Sequence, residues 1–530
     1  MTIRDDTDMH CSGKLVDESI RKTINSTVQR HNNEDSDTDG YESYDDNVSG
    51  GSFCESPGTD EKRSLMQPSK FETLDIGLED SNEQKPEDYI SPWRSCIALC
   101  AAFIFTYSAF EAIQSLQSSL NSTGHLGELS LSILYLFVLL GCFLAPVCAR
   151  LIGHKGILCV SFFGHLCYTC TNFFPTWATL LPVSAVQGVL TGGLGMSQSV
   201  FITSISTSYN HYKMLPKSRL YGTMSFFNGI FFCCFKATHI TGNVLSSAIL
   251  QSKSYNASVL KENKCGAMIC SGFEDTPDFD RPSRQLINIL FGSFALCNSI
   301  GLAITLFGLP HLKNIIKAGK KKTEGFYEVL KEYTGGCSSM MVNSKFVLLA
   351  PSIMAQSIML MAMFTGYPKT FVSCAVGVQW VGYSMVSLGT ASALTALTAN
   401  YLVRYTGRML QFAAGMGIDV STIVILLVWQ PDSTTSPLVL MVAPAMAGIA
   451  QGILQPQQQA LIASVFPKEE LPSAFAAANG VKCFAFSVYL FVASTACFYH
   501  GLALALGLYL PGLLGYAYTE IRERREGRER

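Results

Sequence analysis

The stretch SLSILYLFVLLGCFLAPVCARLIGHKGILCVSFF, residues 130–163, holds two apolar runs on either side of a short basic turn. From Leu129 to Ala149 no charged side chain occurs; Arg150, His154 and Lys155 then gather around Gly153, and apolar residues resume at Ile157. At 1.5 Å of rise per residue, each run in helical form reaches across a hydrocarbon core of roughly 30 Å. A cationic, glycine-containing turn between two such runs is a helical hairpin whose turn faces the cytosol.

The same reading extends along the chain. Of its 530 residues 48% are hydrophobic and 15% charged, well below the roughly one quarter charged in soluble proteins. Candidate spans cover 95–117, 129–150, 157–174, 180–205, 222–250 and 285–309, then 346–366, 378–401, 410–429, 437–460, 473–498 and 502–518. The predicted fold class is an all-α membrane protein of about twelve transmembrane helices. Of 40 acidic and 38 basic residues, 22 and 9 fall before residue 91, leaving 18 and 29 after it. The acidic stretch 1–90, rich in Ser, Asn and Gly, has no apolar run able to build a core and reads as a disordered cytosolic tail without a secretory signal.

Basic residues collect in alternate loops: Arg150 to Lys155, Lys213 to Arg219, Lys313 to Lys331, Arg404 to Arg408, and the end after Tyr518. These loops and both termini are expected in the cytosol. The opposite loops carry the sequons Asn121-Ser-Thr and Asn256-Ala-Ser, and the longest of them holds Cys265 and Cys270. Glycosylation of Asn256 and Asn121 and a disulfide between Cys265 and Cys270 are the expectations on that side.

The chain also reads as a duplication. Arg150-Leu-Ile-Gly153-His-Lys is echoed by Arg404-Tyr-Thr-Gly407-Arg, Gly188-xxx-Gly192 by Gly448-xxx-Gly452, and Asn228-Gly229 by Asn479-Gly480, each about 250 to 260 residues apart. A parallel repeat of two six-helix halves, as in major-facilitator proteins, explains all three offsets. The domain expectations are the tail 1–90, an N-terminal half 91–309 with an extracytosolic loop 251–284, a cytosolic linker 310–345, a C-terminal half 346–519 and a basic tail 520–530.

Longer strings narrow the reading. LQSSLN at 116–121, NFFPTWATLLP at 172–182, CGAMIC at 265–270 and PKTFVSCAVGVQWVGY at 368–383 resemble the uncoordinated-ninety-three family of ion-channel regulatory proteins, a branch of the major-facilitator superfamily. The resemblance implies a regulatory or accessory protein that binds another membrane protein. One branch of the family is a subunit of a two-pore-domain potassium channel, and another escorts Toll-like receptors to endosomes. It also implies residence in the plasma membrane, with the endoplasmic reticulum or endosome as alternatives. Lys236 and Lys482 depart from the neutral polar or acidic residues expected of the family there.

Ionisable groups inside a bilayer are costly unless they face a cavity or a partner. Glu111 shares a face of the first span with Ser108, Ser115 and Ser118, with Gln114 beside it, while Lys236, His239 and Asn243 share a face of the fifth. With Asp419 and Lys482 they make up the candidate cleft, in which Glu111 and Asp419 are the expected counter-ions of Lys236 and Lys482. A buried charge pair that fixes helix register is the plainer reading. No phosphate loop, HExxH, dinucleotide fingerprint, serine elbow or zinc spacing occurs in the sequence, so no catalytic residue, cofactor, metal or nucleic acid is expected. The expected partners are membrane lipids and another membrane protein. The competing functions are a secondary transporter of a small solute using the Glu111 and Lys236 cleft, or a trafficking chaperone for membrane receptors.

Overall fold

A computed structural model describes residues 90–121, 123–216, 220–251, 265–268, 282–312, 335, 338–432, 434–467 and 470–529. The acidic tail, most of the linker, Asn256 and Cys270 lie outside the described residues. The long elements are α1 (Pro92–Leu120), α2 (Leu126–Thr171), α3 (Trp177–Thr191), α4 (Leu194–Tyr212), α5 (Leu220–Gln251) and α6 (Arg284–Ala303). They are followed by α7 (Ser344–Met361), α8 (Val381–Thr406), α9 (Arg408–Val428), α10 (Val442–Val465), α11 (Leu471–Thr495) and α12 (Phe498–Glu529).

Local chemistry sets the helix starts. Pro92 opens α1 where no backbone donor is needed. Thr176 and Thr179 form a reciprocal capping box at α3, and Ser283 and Asn343 cap α6 and α7 by accepting from Leu286 N and Lys345 N. The basic turns are glycine breaks of one geometry. Inside α2 the chain turns at Gly153 (φ 72°, ψ 166°), and α8 gives way to α9 at Gly407 (φ 76°, ψ 158°). A side chain at either position would be strained. The matching angles make the Gly153 and Gly407 echo a repeated joint.

The second echo is a close approach. A Cβ on Gly188 or Gly192 would overlap the α2 backbone at Leu134 or Gly141, and one on Gly448 would overlap Leu388 O of α8. Small residues at this spacing let two helices pack backbone to backbone. At the third echo the copies differ: Gly229 has open space, while a Cβ on Gly480 would lie 3.1 Å from Leu139 Cδ1.

Helix pairing follows the same two-fold pattern. Within the first half α1 packs on α5 and α6, and within the second α7 packs on α11 and α12; the halves meet through α2 with α11 and α5 with α8. Ten helical segments of the described residues are long and apolar enough to cross a membrane, and the protein is a multi-pass membrane protein. The remaining two expected spans fall on α5 and α8, of 32 and 26 residues. Lys236 and His239 in α5, and seven Ser and Thr between Ser384 and Thr406 in α8, lower their apolar character. Twelve crossings therefore stay a proposal, with α5 and α8 supplying two. The span expected over 180–205 is two helices, α3 and α4, broken beside Gly192 and Gly193.

Candidate functional site

The polar stripe of α1 lies against the polar face of α5. Ser108 Oγ and Thr241 Oγ1 are 2.6 Å apart, Glu111 Oε2 and His239 Nδ1 are 3.3 Å apart, and Ser115 Oγ donates to Asn243 Oδ1 at 2.9 Å. Gly242 permits this approach, since a Cβ there would overlap Ser108 O. Gln114 is also engaged: Tyr135 Oη donates to its Oε1 at 2.5 Å. Further along, Ser118 Oγ donates to Thr365 O at 2.7 Å and Ser373 Oγ to Ser119 Oγ at 3.0 Å. The first helix is thus tied both to α5 and to the distal end of α7.

The charges are arranged differently from the expectation. The ionisable group against Glu111 is His239, an ion pair only when its imidazole is protonated, and neither Lys236 nor Lys482 makes an ion pair among the described residues. The Glu111 and His239 atoms are out of hydrogen-bonding line despite their separation, so both stay buried without a hydrogen bond. Lys236 lies within electrostatic reach of Lys482 and Glu111, and Lys482 Nζ sits 5.4 Å over the Phe486 ring. Asp419 is no counter-ion of either lysine. It is buried between α9 and α12, where Tyr509 Oη donates to its Oδ2 at 2.7 Å. Sequence spacing could place Asp419 on a helix face but not assign that face to the cleft.

On the opposite side from the basic loops a second cluster closes the halves together. Lys369 Nζ reaches Glu128 Oε1 at 2.5 Å and His125 Nδ1 at 3.4 Å. Lys369 stands where α7 continues into two wide π turns, Ala362–Gly366 and Pro368–Ser373. Pro368 lacks the N–H a regular helix would use there. Sequence reasoning missed this pair; its signal was a lone carboxylate and a lone ammonium flanking apolar spans, Glu128 at the start of α2 and Lys369 within the quoted string 368–383. His125, outside the spans, is held below the usual imidazole range by burial and then by the Lys369 charge, with Glu128 opposing.

Two expectations on this side are corrected. Cys265 pairs with Cys374, 109 residues away, and not with Cys270; Gly266 N donates to Thr370 O at 3.0 Å and Tyr499 N to Ala267 O at 3.1 Å. The short piece 265–268 is thereby laid over the ends of α7 and α12, where Cys497 is disulfide-bonded as well. Neighbouring cysteines in sequence invited a local pair, and the fold brings a distant thiol nearer. Asn121 is 6% exposed and its Nδ2 donates to Asn172 Oδ1 at 3.1 Å, so the nitrogen a glycan would join is internal.

At the basic side, Lys155 Nζ donates to Leu306 O and Leu309 O, each at 2.7 Å, at the end of α6. In the second half Arg408 pairs with the buried Glu520 of α12 at 3.2 Å, and Arg524 joins it at 2.9 Å. Between α7, α10 and α11 lies a cavity of about 130 Å³ lined by amide side chains and Lys482.

Known proteins with this architecture are of two kinds. Among solved structures, a D-xylose–proton symporter superposes with TM-score 0.54 at 13% identity, covering 81% of this chain and 97% of that one. The nucleoside transporter NupG gives 0.53 at 12%, covering 80% and 99%. Both show the major-facilitator fold. By sequence, protein unc-93 homolog A of Bos taurus is 28% identical over 456 residues, 82% of this chain and 94% of that protein. A Caenorhabditis elegans protein, unc-93, provisionally named a potassium channel regulatory protein, is 26% identical over 392 residues, 71% of this chain and 54% of that protein. The family described as ion channel regulatory protein UNC-93 matches residues 120–514; with three quarters of its length inside that match, the chain belongs to the UNC-93 family.

Proposed function

We propose that this protein is a non-catalytic regulatory subunit of another membrane protein, a two-pore-domain potassium channel first among the candidates. The observation that carries the reading is the family match over residues 120–514, to which the likeness to the nematode protein adds the channel class. The outer closure fits the role. A body whose halves are joined by Lys369 and Glu128, Ser118 and Thr365, and Ser119 and Ser373 offers a partner a fixed outer face. Residence in the plasma membrane and contact with anionic lipid through the basic loops belong to the same proposal.

The test is co-expression with a two-pore potassium channel under voltage clamp, beside affinity capture in mild detergent. Altered channel current together with co-purification is the expected result. Unchanged currents for every two-pore channel tried, with no channel captured, would remove the reading. A second reading, a secondary transporter, is favoured by the lined cavity between α7, α10 and α11; uptake of a solute by proteoliposomes holding this protein alone would establish it.

A further inference from the structure

Along α10, Gln451, Gln455 and Gln459 recur at every fourth position, so they share one helix face. With Gln356 of α7 and Asn479 and Lys482 of α11, they line the cavity of about 130 Å³, roughly ten times the room one water needs. The lining comes from the second half alone, on the side that the basic loops assign to the cytosol. Amide side chains at this depth are costly unless they meet water, one another or a ligand.

The amides are conspicuous for what they do not bond. Gln458, beside them, donates its Nε2 to Ser352 Oγ at 2.9 Å. The side chains of Gln356, Gln451, Gln455, Gln459 and Asn479 make no hydrogen bond among the described residues; Gln459 and Asn479 are exposed and Gln451 and Gln455 half-buried, and of the five only Gln356 has a buried atom, Nε2, without a partner. The charge is similarly open. Lys482 has the Phe486 ring beneath it but no carboxylate of the described residues within ion-pair distance. Lys236 lies within its field, and Glu111, which rests against His239, is the one acidic group among the described residues that acts on Lys236. With the His239 imidazole neutral, two ammonium groups against one carboxylate leave one positive charge uncompensated in a partly buried surrounding.

We propose that this cavity binds a small organic carboxylate, its charge on Lys482 and its hydroxyl or amide groups on the glutamine side chains. A cation is repelled by the same charges. A phosphate dianion would exceed the single open charge, and the lining offers no arginine fork to hold it. Carboxamides both donate and accept, so they recognise hydroxyl and amide groups that a halide lacks. The inference goes beyond channel regulation and requires no channel; it concerns what this chain binds on its own.

The test uses the purified full chain in detergent. Thermal unfolding is followed in sodium lactate, gluconate or N-acetylglycinate against sodium chloride and phosphate at matched ionic strength, with equilibrium dialysis of the labelled carboxylate that stabilises most. A saturable rise in Tm is expected for at least one carboxylate, above that in chloride or phosphate. The half-saturating concentration should rise about tenfold or more in Lys482→Gln and about threefold in Gln455→Leu, the worth of a charged and a neutral hydrogen bond. If Lys482→Gln does not fold, Gln455→Leu decides, because it keeps every charge. An equal rise in chloride or phosphate would overturn the ligand class, and an undiminished response in the variants would overturn the site.

Discussion

Breaking the clamp at Lys369 should loosen the contact between the two halves. The pair is nearly dry, the Glu128 side chain being 3% and that of Lys369 13% exposed, with 2.5 Å between Nζ and Oε1. At an effective dielectric of about 20, charges at that separation attract by about 6 to 7 kcal/mol, most of it offset by the cost of taking both out of water. Removing one partner leaves the other charge buried and alone, at about 3 to 5 kcal/mol. That is a hundredfold or more, at about 1.4 kcal/mol per factor of ten, in any equilibrium that parts the halves on this side. Removing both as Glu128→Gln with Lys369→Met should cost much less, and the exchange Glu128→Lys with Lys369→Glu should restore part of the attraction. The assay places a reporter thiol at Ser119, which is buried and hydrogen-bonded to Ser373, and follows its reaction with an impermeant maleimide added outside intact cells, over a Ser119-bearing parent. Labelling should be fast in Glu128→Gln and Lys369→Met alone and slower in the matched double. Strictly additive rates in the cycle, or no change in either single variant, would show that the clamp does not hold the halves.

Four further outcomes follow from the same face and its neighbour. Peptide mapping under non-reducing conditions should find Cys265 linked to Cys374, and Cys374→Ser should destabilise by about 4 to 5 kcal/mol on chain-entropy grounds for a loop of 109 residues; a Cys265 to Cys270 peptide would contradict the structure. Any glycosidase-sensitive mobility shift should vanish in Asn256→Gln and persist in Asn121→Gln, whose side chain is buried against Asn172. Because His125 titrates below its ordinary value of 6.5 in the folded chain, its stabilising contribution is complete above that value and is lost as pH falls through it, since the unfolded chain then takes up the proton more readily. A fall in Tm on acidification that is smaller in His125→Gln is the expected signature, and identical profiles would refute it. Glu111→Gln and His239→Gln should each destabilise, with the double variant costing less than their sum if the two are coupled across α1 and α5.

The hairpin turn and its copy were legible in sequence because their cause is local. A glycine amid cations between two membrane-length apolar runs fixes both the bend and the side on which it lies, and Gly153 and Gly407 adopt nearly the same dihedral angles. The polar stripes of α1 and α5 were legible for the same reason, since helical spacing places Ser108, Glu111 and Ser115 on one face. Which charge meets which was not. Helical periodicity orients a residue about its own axis and is silent on the neighbour that faces it, so His239 took the place foreseen for a lysine, and Asp419 met Tyr509 on α12. The Cys265 to Cys374 bridge and the Lys369 clamp join segments far apart in the chain, a distance that spacing rules do not cross.

The repeated glycine joint is fastened in two chemically unlike ways. Lys155 ends on the uncharged carbonyls of Leu306 and Leu309, whereas Arg408 ends on the ionised partner offered by Glu520, with Arg524 sharing it. The Glu520 side chain is only 1% exposed, so removing a cation from that joint leaves a buried carboxylate short of a partner, whereas removing Lys155 leaves only two neutral carbonyls. The repeated joint therefore survives in shape but not in chemistry: the second copy depends on its cations to keep a buried charge balanced, and the first does not.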